Sequence, residues 1–457
     1  MLALAGCSVE NSGESYQPIS DFNSITSKSV QTEVPPVAET IQPPFTLEQC
    51  IEIALKNNPD VVGGGFDVLA ARAEKDIAAG QRWPTLGLGT SYRHYLDDQR
   101  LVQPRYGNEP GVFGDDVLAG DVVLRMPIFT AGRIENEIKA ADLLSRSATH
   151  RLGRTRQELV FNISQVFYNI LAQRHIIKSL NFSKKALEEH QRRVNDMIAV
   201  QKATKVDLLR TEVRLADLGQ RLVAENNVMS ILRRVLVNFL GLSDTESGVD
   251  VKGNLQLTTF APNLSESIAG AYAKRADYLA AKKTVEAQER RLEVARAGHW
   301  PIISAEASYG LRSATNPTSH PAGTDETEDV GFIGVSAEFP IFEGGRIAAR
   351  VRDEEAKLRS QRQRLRKLEL QVHLDVETAV LNITASQERV EATEKSIEQA
   401  KESLRIEREK YELGKGSITN VLDAQSALLD AQTTYYHALA DYNRAVAQWH
   451  LAIGDER

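Results

Sequence analysis

The chain has 457 residues, of which 26% are charged and 6% aromatic, with a formal net charge of −7. That length suits two or three ordinary domains, and the acidic balance argues against nucleic acid as a partner. No apolar run approaches the roughly 18 residues of a membrane-spanning helix, so any crossing must use strands closed into a barrel. The two cysteines, Cys7 and Cys50, are too few for a disulfide framework.

At the N-terminus, Leu4-Ala5-Gly6-Cys7 resembles a bacterial lipobox. Residues 1–7 then read as the remnant of a lipoprotein signal, with cleavage before Cys7 and acylation of that residue. Ser8, rather than Asp, follows Cys7, which matches sorting to the outer membrane. Residues 8–44 carry five prolines among polar residues and read as an extended leader.

The first repeat spans 45–241. It opens with a helical pattern from Phe45 to Gly80, interrupted at Asn58-Pro59. Cys50 sits in that pattern as a small apolar residue. Gly63-Gly64-Gly65 follows no strand, so it is no phosphate loop and marks a bend or close helix packing. Alternating apolar residues then predict strands at about 83–96 and 117–129, joined by a polar loop over 97–116. A proline-free stretch predicts a long helix over about 131–201, and Thr204 with Asp207 reads as the capping box of a return helix over 205–241. The turn between them lacks glycine, which predicts a tighter or different shape from its counterpart in the second repeat.

Residues 242–263 form a linker. The second repeat, 264–457, follows the same order: one helical pattern over 264–298, strands at about 300–312 and 330–342, and a long helix at about 345–413. Gly414 suits the end of that helix, and Ser417 caps a return helix over 418–454. The duplication is literal in places. Trp83-Pro84 recurs as Trp300-Pro301 at an offset of 217 (300 − 83), and Pro127-Ile128-Phe129 as Pro340-Ile341-Phe342 at 213 (340 − 127). The change of offset places the length difference in a loop between the paired strands. Basic residues crowd the start of the second long helix, from Arg346 to Arg364, and read as a solvated face balanced by Asp353, Glu354 and Glu355.

Four strands per chain cannot close a barrel, and open edges are not tolerated in lipid. Three copies would supply twelve strands, with apolar residues toward lipid and Asp121, Arg125, Glu306 and Glu338 toward a water-filled lumen. Helices of about 100 Å side by side would continue that ring as a hollow helical barrel. The fold class expected is therefore mainly α with a small β part. It is a duplicated helix–β-hairpin–long helix–short helix unit that trimerises.

Four segments in this order resemble the TolC-type outer membrane efflux and secretion channels. They are Phe45–Pro59, Ala295–Pro301, Pro340–Arg346, and Tyr411–Gly414 followed by Asn420–Gln425. The resemblance covers about residues 45–454. It implies a passive homotrimeric exit duct in the outer membrane of a Gram-negative bacterium, with a large periplasmic part. Such ducts serve tripartite efflux pumps or type I secretion systems, with a periplasmic adaptor and an inner-membrane transporter as partners. The family places acidic residues and polar links at a closed helical tip. By position these are Asp207 and Asp423. Asn420 stands where an acid is common and Gly416 where a basic link occurs, so a weaker acidic constriction is expected. The adaptor-contact turns are expected at Lys202 and Thr204 and at Gly414, Lys415, Gly416 and Ser417. No HExxH, CxxC, P-loop or GxSxG is present, so neither catalysis nor cofactor nor metal is expected. Two other readings of the residues are a periplasmic adaptor, which the duplicated helix–hairpin–long-helix unit opposes, and a structural coiled coil of the envelope, which the Trp-Pro strand segments oppose.

Overall fold

The computed structural model describes residues 44–104, 106–107, 109–201, 203–242, 249–258 and 260–455. The expected acylation at Cys7, the leader and Lys202 lie outside them.

The first repeat comprises α1 (Leu47–Asn57), α2 (Pro59–Gly80), β1 (Thr85–Arg100), β2 (Phe113–Phe129), α3 (Arg133–Ala199) and α4 (Lys205–Phe239). Local chemistry sets the breaks. Thr46 and Gln49 form a reciprocal capping box that starts α1. The Asn58 side chain then accepts from the Asp60 N–H while Pro59 takes the first position of α2. The three glycines lie inside the continuous helix α2. A Cβ at Gly64 would lie 3.0 Å from Leu152 Cδ1, whereas Gly63 and Gly65 face open space. Close packing against α3 therefore concerns Gly64.

The second repeat comprises α5 (Leu264–Lys274), α6 (Ala276–Ala297), β3 (Ile302–Ala314), β4 (Pro317–Ser319), β5 (Thr327–Glu338), α7 (Arg346–Glu412) and α8 (Ile418–Ile453). The single helix expected over 264–298 is interrupted at Arg275, where Asn58 stands in the first repeat (275 − 58 = 217) and where no proline follows. Arg275 is extended (ψ 114°), and its side chain is only 3% exposed. Its guanidinium donates to Asp277 at 2.9 Å and to Asp375 of α7 at 2.6 Å. An ion triad around a buried arginine thus stands here where Asn-Pro stands in the first copy. Each break is capped by the glycine that ends its own repeat. A Cβ on Gly241 would approach Asn57 O to 2.4 Å, and one on Gly454 would approach Arg275 Cα to 2.7 Å.

The strands form one antiparallel sheet in the order β1-β2-β3-β5. They run further than the alternation suggested, to Arg100 and from Phe113. The second loop also holds the short β4, which pairs with β2 across the repeat boundary. Below the sheet, α2, α3, α6 and α7 pack side by side. Further down, α4 takes the flank of α3, and α8 packs against both α3 and α7. The two 67-residue helices, each about 100 Å long, are thereby flanked end to end by shorter ones. The largest apolar cluster lies where these shorter helices meet. It joins Phe45, Cys50, Ala54, Ile163, Ile170, Leu236 and Leu240 to Val251 of the linker. Burial there pushes the Cys50 thiol up to about 12.

Candidate functional site

Register fixes the two faces of the sheet. Arg125 pairs with Glu306, Asp121 with Gly310, and Glu338 with Ile302. Directly opposite residues share a face, and alternate residues along a strand share it too. Asp121, Arg125, Glu306 and Glu338 therefore stand together on one face, and Arg125 Nε lies 3.4 Å from Glu306 Oε1. Gly310 is required beside Asp121, whose Oδ1 would lie 2.4 Å from a Cβ at that position.

The opposite face is apolar and open. Leu88 is 76% exposed, Ile333 91% and Val335 68%. Tyr92 and Tyr309 close this band at one end, their hydroxyls donating to Asp116 and Asp329. Trp83 and Trp300, both exposed, lie just before β1 and β3 begin. The seven steps from Thr85 to Tyr92 span about 23 Å along β1. The sequence reading missed the tyrosine rim because each aromatic is isolated until the strands are aligned. At the tyrosine rim, His94, Asp115 and Asp116 bring ligand-type atoms within 4.8 Å of one another. His94 Nδ1 already lies 2.8 Å from Asp116 Oδ1.

At the far end of the long helices lie the two turns. In the first, Thr204 accepts from the Asp207 N–H, and the Asp207 carboxylate accepts from Thr204 N (3.0 Å) and Oγ1 (2.8 Å). The Asp207 carboxylate is thus occupied in capping. In the second, Gly414 is left-handed (φ +68°) and Lys415 donates back to the Lys410 carbonyl at 2.9 Å. Gly416 packs on the Lys410–Tyr411 backbone, and Ser417 caps α8. The first turn, expected to differ for want of glycine, uses Gln201 at φ +61° in the place of Gly414 (414 − 201 = 213). The left-handed position is kept, and a residue with a Cβ bears the strain.

Asn420 is exposed and hydrogen-bonds Glu407; the Lys410 ammonium, and after it this hydrogen bond, hold the Glu407 carboxyl below its usual range. The Asp423 side chain is 69% exposed and lies 3.7 Å from Arg214. That contact is one rung of three that tie α4 to α8. Arg210 donates to Thr419 Oγ1 at 2.8 Å, and Arg221 lies 3.2 Å from Asp430. Each rung joins residues 209 apart (419 − 210, 423 − 214, 430 − 221). The sequence holds the signal in matching spacings of four and seven on the two helices, but the pairing needs the fold. Nearby, the His190 ring tilts against Tyr411 at 5.7 Å, and its Nε2 is buried without a partner. Burial, then Arg193 and Arg408, hold its pKa below the ordinary value, while Asp207 opposes them.

The outer membrane efflux protein family model matches residues 50–242 and 268–455, one stretch in each repeat. The proteases secretion protein PrtF of Dickeya chrysanthemi is 21% identical over 315 residues, covering 67% of this chain and 65% of that protein. The chain spans less than two thirds of the curated relatives that it matches. Among solved structures, VceC of Vibrio cholerae superposes with a TM-score of 0.74 at 19% identity, covering 90% of this chain and 96% of that one. The CmeC outer membrane channel of Campylobacter jejuni gives 0.76 at 16%, covering 89% and 85%. Family match, duplicated fold and two-faced sheet agree: the chain belongs to the outer membrane efflux protein family.

Proposed function

We propose that the chain is one third of a trimeric exit duct that carries cargo across the outer membrane and periplasm. The observation that carries this reading is a sheet with an exposed apolar face and two unpaired edges, β1 and β5. Neither is stable in water or in lipid as a single copy. Ring closure by three copies joins β5 of one to β1 of the next and gives twelve long strands. The helix layer has matching open edges. Val62, Phe66, Leu69 and Ile77 expose an apolar stripe on α2, Val206, Leu209 and Val213 one on α4, and Leu370, Leu374 and Leu381 one on α7. A structural coiled coil or an adaptor has no use for such a sheet.

The polar face then lines the lumen, and the turns around Thr204 and Gly414–Ser417, with Lys202, form the periplasmic tip that meets an adaptor and an inner-membrane transporter. The name of PrtF speaks for protein cargo and that of FusA, a fusaric acid resistance protein, for a small molecule. Three copies of Asp423 around a narrow tip would attract cations. In planar bilayers the purified protein should give discrete cation-selective currents, and Asp423→Ala should reduce that selectivity. Migration as a heat-labile trimer in outer-membrane fractions is expected; a water-soluble monomer would end the duct reading.

A further inference from the structure

His94 stands on the apolar face of the sheet, two residues beyond Tyr92 and directly opposite Asp116 of β2. The next pair in the register is Gln99 with Gly114, so residues 95–98 of β1 face Asp115 alone. Consecutive residues of a regular strand point to opposite faces, and a bulge removes that constraint. Asp115 thereby joins its neighbour: one ligand-type atom each from His94, Asp115 and Asp116 lies within 4.8 Å of the other two. Among the described residues no other three histidine, cysteine or carboxylate side chains come together in this way. The chain shows no metal motif here because the imidazole and the carboxylates lie 21 positions apart (115 − 94) and meet only through strand pairing.

Oδ1 of Asp116 takes the hydrogen of the Tyr92 hydroxyl at 2.5 Å and faces His94 Nδ1 at 2.8 Å. No lysine or arginine pairs with Asp115 or Asp116 among the described residues. Two neighbouring carboxylates repel each other, and one exposed imidazole offsets them only in part. A cation held by all three groups removes that repulsion.

The donor set selects the class of cation. Oxygen ligands alone suit Ca²⁺ or Mg²⁺, whereas an imidazole beside carboxylates suits Zn²⁺ and similar transition ions. Bonds of about 2.0–2.2 Å to zinc set its ligand atoms roughly 3–4 Å apart, so rotation of the side chains closes the site. We propose that His94, Asp115 and Asp116 bind a divalent transition metal of the Zn²⁺ type, which pins the bulge of β1 to β2. On binding, the metal replaces the proton between His94 Nδ1 and Asp116 Oδ1, and that proton passes to water. Tyr92 remains the donor that orients Asp116. The site faces away from the polar side of the sheet, hence off the cargo path. That placement rests on the duct reading above; the metal binding does not.

Isothermal titration of ZnCl₂ into the full-length protein in phosphatidylcholine nanodiscs at pH 7.5 tests it. One Zn²⁺ per chain should bind, about tenfold or more tighter than Ca²⁺. His94→Asn and Asp115→Asn should each weaken Zn²⁺ binding about tenfold or more, and Tyr92→Phe about tenfold. Neither His94 nor Asp115 is buried, so both variants should melt with the native protein in the absence of metal. Zn²⁺ should also slow hydrogen exchange over residues 95–98 in the native chain and leave it unchanged in His94→Asn. No Zn²⁺ bound, an affinity indifferent to both variants, or Ca²⁺ held as tightly as Zn²⁺ overturns the site. A protein that binds Zn²⁺ here but never conducts would defeat the duct reading alone. A conducting trimer without this binding would defeat the metal site alone.

Discussion

Ala131 and Gly344 occupy the same place in the two strand-to-helix junctions, and both are left-handed, at φ +52° and +60°. A Cβ there costs about 1 kcal/mol relative to glycine. Ala131→Gly should therefore raise thermal stability by about 1 kcal/mol, read from the melting of the assembled protein. The glycines that end the repeats predict the opposite. Gly454→Ala would add a strained φ (+78°) and drive a Cβ into the Arg275 backbone, with a loss of about 3 kcal/mol or more. An unchanged melting temperature would contradict that packing. The local signals at this scale were legible: Ser417 and the Thr204–Asp207 box announce helix starts through neighbours in sequence. Arg275 was not. Its role depends on Asp375, a hundred residues away, and on Gly454, so nothing beside it in the chain marks a helix break.

At the scale of elements, the tip is a seam between two helical hairpins, α3–α4 and α7–α8. Polar ties cross it, including Arg193 to Glu412 at 3.8 Å and Gln425 to the Ser183 carbonyl at 3.2 Å. His190 is its titratable member. It is packed against Arg408, Tyr411 and Glu412 of α7 and Gln425 of α8, with Asp207 of α4 nearby. Its pKa is depressed in the folded protein, so the unfolded chain takes up the proton first. The contribution of this contact is complete well above pH 6.5 and is lost as pH falls below that value. Protection factors against hydrogen exchange at the ends of α3 and α7 should fall as pH drops from 7.5 to 5.5, and His190→Gln should flatten that response. The three rungs between α4 and α8 are individually weak; on the proposed duct reading they act together to hold the tip closed. Replacing Arg210, Arg214 and Arg221 by Ala should raise the open probability in bilayers by about tenfold. Helix and strand patterns were legible here because period and proline placement are properties of one segment. β4 was not, because three residues become a strand only by pairing with β2.

For the whole molecule, the duplication was legible as two offsets, and the sheet order and helix layer follow it. What the sequence did not display was the use made of unequal copies. Asn-Pro is replaced by an ion triad at the helix break, and Gly414 by Gln201 at the tip. Those differences lie at aligned positions and gain meaning only once the copies touch. The unpaired edges of β1 and β5 also reach beyond structure into genetics. On the proposed trimeric reading, every ring is a draw of three subunits from the common pool. If half of the chains carry a tip that cannot open, about one eighth of the rings contain none of them. Co-expressing such a variant with the native chain should depress export far more than by half. A loss in simple proportion to the variant's share would mean that the copies work independently.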